Sequence, residues 1–392
     1  MPTACATGAS SNADTVAAAR ECVLGARAGL AGAPPSLGIL FASPRHQLGA
    51  ALRTAGEVAG VDFAACSTAG EISERGLTRG GMVAMLIAWG DARHVTALAP
   101  DLSRGASVVA EQLCSPVKGL ADANAAAGRP RSASILIGDG LSPALEKLVI
   151  DLRKGCPHEQ VVGGGAGDDG ALVQTSVGAG MQEHPGGAVA IHVYSASPVG
   201  VGVAHGLRAT SRPMMVTRAD GGVVREIDGT PALEVFRRHA AKQGIVLDDS
   251  SLQDFLIQNE LGTYLFDELV SVRAAIRAEP DGALRFAGEV PEGSSVCFVR
   301  GEPDELIAAA SLAAAEAARG LGPAVAAGVL VFSCIGRGML LGSRYDEEIA
   351  AVAAQFPGVP IAGFLSYGEI ARTQARLATY HNDTIVVAAL PA

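Results

Sequence analysis

The chain has 392 residues, 49% apolar and only 18% charged, which supplies a sizeable core and excludes an extended, disordered polymer. Its 40 acidic residues outnumber 30 basic ones, for a formal net charge of -10, and such a surface repels phosphate backbones, so no nucleic-acid partner is expected. Aromatic residues are 4% and alanine is abundant, so the core must rely on small side chains and close backbone approach.

Residues 1–35 read as a loose tail followed by a helix over about 13–30, capped by Asn12. From Leu37 a pattern recurs. Unit one has a buried strand at Leu37–Phe41, then a helix with Leu48, Ala51, Leu52 and Ala55 on one face. A strand at Val61–Cys66 follows, then Ser67-Thr68-Ala69-Gly70-Glu71-Ile72, and a strand at Met82–Trp89. Unit two repeats the order: a strand at Ser134–Ile137, a helix opening at Ser142-Pro143 with Leu145, Leu148, Val149 and Leu152 inward, a glycine run at 163–165, and a strand after Gly186-Gly187. Unit three has a strand at Val329–Phe332, a turn at 333–338 and a helix with Ile349, Val352, Ala353 and Phe356 inward. It closes with Val359–Ala362, Ser366-Tyr367-Gly368-Glu369-Ile370 and a last strand at Thr384–Leu390.

Between units two and three lie a hairpin across Asp220-Gly221-Gly222, a helix from Thr230-Pro231 to about Ala241, an irregular stretch over 248–266, and strands at 270–278, 283–287 and 295–300. An Ala-rich helix spans 304–319. Strand–helix–strand units with one-sided helices predict an α/β fold, with internally repeated units forming mixed sheets in two halves. The expected boundary, near 205–225, divides the chain into a 1–35 tail and helix, a 36–215 domain and a 216–392 domain.

No apolar stretch reaches the roughly 18–20 residues a membrane helix needs, and no basic stretch leads into an apolar core at the N-terminus, so neither membrane nor signal peptide is expected. Seven cysteines, none in a CxxC pair, read as reduced thiols of a cytoplasmic protein. The histidines outside unit three's last turn show no HxH or HExxH spacing, so no metal site is expected.

Polar residues gather where strands end, the place at which open α/β sheets bind ligands. Glu369 can accept from a cationic group, and Gly368 permits close backbone approach. His381 and Asn382 stand nearby in sequence. Ser67, Thr68, Gly70 and Glu71 hold the equivalent place in unit one. Arg337 can clamp a carboxylate in a bidentate way. Against each stands the plainer reading of a turn that satisfies its own backbone. Gly165-Ala166-Gly167-Asp168-Asp169-Gly170 matches GxGxxG, but no helix follows and two aspartates would repel a pyrophosphate, so dinucleotide binding is rejected. A hydrolase built on Ser366 with His381, or on Cys66, lacks an identifiable third member, and no enzyme is expected.

Four stretches resemble the FIST family, the sensory module named for F-box and intracellular signal transduction proteins. They are Ala65–Ile72, Val161–Asp169, the run from Val216–Asp220 to Asp228-Gly229-Thr230-Pro231-Ala232, and Ile361–Ile370 with His381-Asn382-Asp383-Thr384. The likeness covers roughly residues 36 to 392, in the family's N-terminal and C-terminal order. It implies a bacterial sensor of small molecules such as amino acids, and the residue pattern places the ligand in a cleft between the two halves, at Ser67, Thr68, Gly70, Glu71, Arg337, Ser366, Tyr367, Gly368, Glu369, His381 and Asn382. It also implies an alternative, a haem-binding nitric-oxide sensor that regulates a histidine kinase. His381 is then the first axial-ligand candidate, with Tyr367 and Cys334 behind it. No kinase, cyclase or receiver segment is recognised, so output passes to a separate partner.

Overall fold

A computed structural model describes residues 2–156, 158, 160–248, 250–265, 268–371 and 380–392. It is a mixed α/β structure, and its repeat is larger than the sequence pattern indicates. Each unit opens with a strand that the pattern does not reveal and a helix that it showed in units one and three but not in unit two. In unit one these are Ala4–Ser10 and Thr15–Gly29, with Asp14 rather than Asn12 as the helix cap. The expected loose tail is therefore a sheet strand, paired antiparallel with Met82–Ala88. Its sequence, ACATGAS, alternates no apolar residues, which hides it. Arg93–Ala99 with Ala106–Cys114, and Gly200–Ala204 with Pro303–Gly320, open units two and three.

A strand–helix–strand crossover follows in each unit. Leu37–Ala42 lies parallel to Phe63–Ser67, Arg131–Asp139 to Gln160–Ala166, and Ala326–Cys334 to Ile361–Ser366. The stretch 333–338, expected as a turn, instead ends this last strand and starts a short helix, Ile335–Leu341. A hairpin comes next, then a closing strand: Met82–Ala88, Ala188–Ser195 or Ile385–Pro391. In every unit the sheet order is first, last, second and third strand.

The hairpins do not stay at home. Unit one's hairpin, Glu71–Ser73 with Gly76–Thr78, extends the sheet of unit three beside Ile361–Ser366. Unit three's, Glu369–Ala371 with Tyr380–His381, extends unit two beside Gln160–Ala166. Unit two's, Ser176–Ala179 with Gln182–Pro185, extends unit one beside Phe63–Ser67. The exchange is cyclic, and each borrowed hairpin covers a third-strand edge that would otherwise show unpaired backbone groups.

The inner faces of the three sheets share one core, in which Phe41 and Phe332 both pack on Phe364 at 5.0 and 5.6 Å between ring centroids. Each fully buried Phe of this kind stabilises the fold by about 1.5–3 kcal/mol. Helices cover the outer faces with separate clusters. Close backbone approach takes the place of bulky packing. A Cβ on Gly202 would stand 1.9 Å from the Ala313 carbonyl of the Ala-rich helix, and one on Gly8 would stand 2.1 Å from that of Cys22.

Residues 208–300, inserted into unit three, form a nine-stranded sheet with the helices Ala232–Lys242 and Leu252–Gln258. The stretch expected to be irregular thus contains a helix and the strand Glu260–Leu265. Two cysteines expected as free thiols, Cys114 and Cys156, are bonded to each other, because the ends of two neighbouring helices meet there. The other five are free and buried.

Candidate functional site

The three hairpins leave their own sheets at one place, and their crossovers are stitched together by backbone hydrogen bonds. Ala69 N–H donates to the Leu365 carbonyl at 3.1 Å, and Leu365 N–H to that of Gly70 at 2.8 Å. Tyr367 N–H donates to Gly165 at 2.9 Å, and Gly165 N–H to Gly368 at 2.8 Å. Gly167 and Asp169 donate to Ser67 and Thr68, both at 3.0 Å. Gly368, at φ 96°, supplies a turn that few other residues adopt.

Glu71 and Glu369 are built alike. Thr68 Oγ1 donates to one oxygen of Glu71 and the Gly81 N–H, at 2.9 Å, to the other. Ser366 Oγ donates to Glu369 at 2.8 Å and the Thr384 N–H, at 3.1 Å, to its second oxygen. Both carboxyls are fully buried. Burial pushes Glu71 up to about 7 and Glu369 up to about 8, against the hydrogen bonds that pull them down. The turns touch through Gly70 and Leu365, yet the carboxyls answer to different charges: Glu71 to Asp169, Glu369 to Asp383.

The other predicted site residues are also tied down. Ser67 Oγ accepts from Ser176 N–H at 2.9 Å. Tyr367 OH donates to Asp168 and accepts from Gly170 N–H, and Asp168 in turn accepts from the N–H groups of 172, 173 and 174. The GxGxxG match is thus a closed turn. Arg337 is fully buried. Its guanidinium donates to Glu348 at 2.6 Å and to the carbonyls of His205 and Leu306 at 2.6 and 2.9 Å, so it holds unit three together.

Unsatisfied chemistry lies one step further, where the inserted sheet meets unit three. Glu260 opens the strand Glu260–Leu265, and Asp383 precedes the closing strand of unit three in a left-handed conformation, φ 52°. Both are 3% exposed, and Asn382 is 2% exposed. Both oxygens of Glu260, Oδ1 of Asp383 and Oδ1 of Asn382 have no hydrogen-bond partner among the described residues. The Glu260 and Asp383 oxygens converge: each lies within 3.8 Å of the point a Cβ on Gly336 would occupy. Burial first, then Asp383 and Glu369, hold Glu260 well above the usual carboxylate range, while Arg273 pulls it back. Burial lifts Asp383 to about 6. Arg273 binds Glu146 of unit two at 2.6 Å and lies over the Tyr380 ring, so the cluster touches three parts of the chain. Buried acceptors without donors suit a cation.

Glu260 falls in the stretch that read as irregular, and nothing in its spacing marks it. Asp383 stands in the quoted His381–Thr384 motif, and a buried acid next to a turn was its only signal. His381 pairs with Glu369 across the hairpin and is buried, with Nε2 3.3 Å from the Ala371 carbonyl. Burial pushes the thiols of Cys334 and Cys66 well up from the usual cysteine range. A shallow groove of about 450 Å³ lies away from these carboxyls, lined by Asp62, His94 and Gln182 among others.

Two family patterns match in tandem, the FIST N domain over residues 36–230 and the FIST C domain over residues 232–372. The chain belongs to the FIST family. FIST domains are sensory domains of signal transduction. The FIST N match ends inside the inserted sheet, and unit one's hairpin, within that match, pairs with the strand Ile361–Ser366 in the FIST C match. Among curated relatives, an uncharacterized protein of Mycobacterium tuberculosis is 29% identical over 248 residues, 60% of this chain and 62% of its own length. One of Mycobacterium bovis is 28% identical over 190 residues, 45% of this chain and 47% of its own. The FIST chain thus spans less than two thirds of the curated relatives it matches. No helix among its described residues is long and apolar enough to cross a membrane.

Proposed function

We propose that this chain is a ligand-sensing module that binds a small molecule carrying an ammonium group, such as an amino acid, and relays its presence to a separate signalling partner. The observation that carries this reading is the convergence of Glu260 Oε1 and Asp383 Oδ1, both without a hydrogen-bond partner among the described residues. Leaving such groups buried and unsatisfied is costly, and a cation that accepts their charge and donates to their oxygens removes that cost. The Asn382 carbonyl oxygen offers a third acceptor, and the raised carboxyls ionise as the ammonium enters.

The site lies between the inserted sheet and unit three, with Arg273 reaching to Glu146 of unit two. A ligand that prefers the arrangement in which Glu260 faces Asp383 shifts the population toward it, and that bias is what a partner would read.

Isothermal titration of the full chain against amino acids and simple amines tests the reading. Binding is expected with amines and not with their neutral or anionic analogues. Glu260→Gln and Asp383→Asn should each weaken it about tenfold or more, the size of one lost charge-assisted hydrogen bond. No heat with any amine, or binding indifferent to both substitutions, overturns it.

A further inference from the structure

A second cluster lies in unit two, on the outer side of its sheet, apart from the carboxyls of Glu260 and Asp383. The helix Ala106–Cys114 ends beside the end of the helix Leu145–Gly155, which sets Cys114 against Cys156, 42 residues on. His158 follows two residues later, and His192 comes from the middle of the strand Ala188–Ser195. One ligand atom from each of Cys156, His158 and His192 lies within 4.8 Å of the other two. All four side chains are buried, at 0, 3, 7 and 0% exposure in chain order.

His192 is set as a ligand is, and His158 faces it. His192 Nε2 stands 3.0 Å from the Leu113 carbonyl and must carry the proton there, so its Nδ1 bears a lone pair. That Nδ1 faces His158 Nε2 at 3.0 Å. A ring N–H fixed on a backbone carbonyl, with the other nitrogen turned to a shared centre, is the usual support of a metal-bound histidine. Burial also holds both rings down to about 4, so they are neutral, as ligands must be. Ser134 Oγ, 2.7 Å from the same Nδ1, and the proton on His158 Nε2 are the donors a metal would displace, with the His158 proton moving to its other ring nitrogen.

We propose that Cys114, Cys156, His158 and His192 form a zinc site that exists only when the Cys114–Cys156 bond is reduced. Two sulfurs and two imidazole nitrogens are the donor set of a closed tetrahedral zinc site. In the reducing step a dithiol gives two electrons and two protons. The S–S bond breaks, each sulfur gains one electron and one proton, and the dithiol leaves as its own disulfide. Zinc then binds both sulfurs as thiolates, and the two protons go to solvent. The cluster thus couples thiol redox state to the joining of two helix ends.

The test uses the full chain, once oxidised and once reduced by a dithiol that is then removed, titrated with zinc against a chromogenic chelator. The reduced chain is expected to bind one equivalent and the oxidised chain none. Zinc should protect Cys114 and Cys156 from alkylation, mapped by mass spectrometry, while leaving the other five cysteines unchanged. His192→Ala and His158→Asn should weaken zinc binding about 100-fold or more. The wild-type titration needs no variant to fold. No binding by the reduced chain, equal binding by the oxidised chain, or protection of other cysteines overturns the proposal.

Discussion

At the scale of single residues, the fold concentrates its charge in places that water does not reach. Arg337 and Glu348 are both fully buried and 2.6 Å apart. Glu348 also accepts from Ser333 Oγ at 2.8 Å. Removing one partner strands the other, so Arg337→Met should lower stability by about 3–5 kcal/mol in urea unfolding. Adding Glu348→Leu should restore part of that loss, since no lone charge then remains. A single substitution that costs nothing would show the pair to be solvated. Glu369 makes a prediction of opposite sign to the usual acid. Its folded value, about 8, lies above the unfolded carboxylate value. Between these values the folded chain holds a proton that the unfolded chain has lost, so stability falls as pH rises through this window and levels off above it. Glu369→Gln should flatten that slope, measured as the urea midpoint from pH 5 to 9. An unchanged slope would assign it to other groups.

At the scale of elements, close contact between strand and helix does what large side chains do elsewhere. Gly202→Ala places a Cβ 1.9 Å from the Ala313 carbonyl, which is backbone and cannot rotate away. Helix Pro303–Gly320 must shift, at a cost of about 1–3 kcal/mol, visible as a lowered thermal midpoint. A midpoint at or above that of the wild type would refute this packing account. The same chemistry explains what could be read from the sequence. Leu48, Ala51, Leu52 and Ala55, with their counterparts in units two and three, showed a helical period and are buried in the structure, apart from the partly buried Ala353. Ala4–Ser10 showed nothing, because small residues such as Ala, Gly, Thr and Ser carry little hydrophobic contrast, and in Gly200–Ala204 only two valines alternate with glycine, too short a pattern to mark a strand. The Gly-Glu turns were visible as a repeated motif, and the structure makes them equivalent. Glu260, Arg273 and the group of Cys114, Cys156, His158 and His192 were invisible, because contacts between distant segments leave no local pattern.

At the scale of the whole molecule, the cyclic exchange ties the FIST N and FIST C regions together. Residues 1–230 alone lack the strand Ile361–Ser366 that receives unit one's hairpin, and they lack unit three's hairpin to cover Gln160–Ala166. That fragment should show no cooperative thermal transition, whereas the full chain should melt in one step. A fragment that melts sharply at the full-length midpoint would show the exchange to be dispensable.

The exchange also sets a timetable for synthesis. A chain emerging from the ribosome completes the first sheet once residues 176–185 are out, but the edge at Gln160–Ala166 waits for the much later strands Glu369–Ala371 and Tyr380–His381. In that interval the nascent polypeptide carries a bare β-edge beside apolar neighbours, the condition in which chains stick to one another. A holding chaperone during production, or slowed elongation before residue 166, bears directly on how much of this protein reaches its native form.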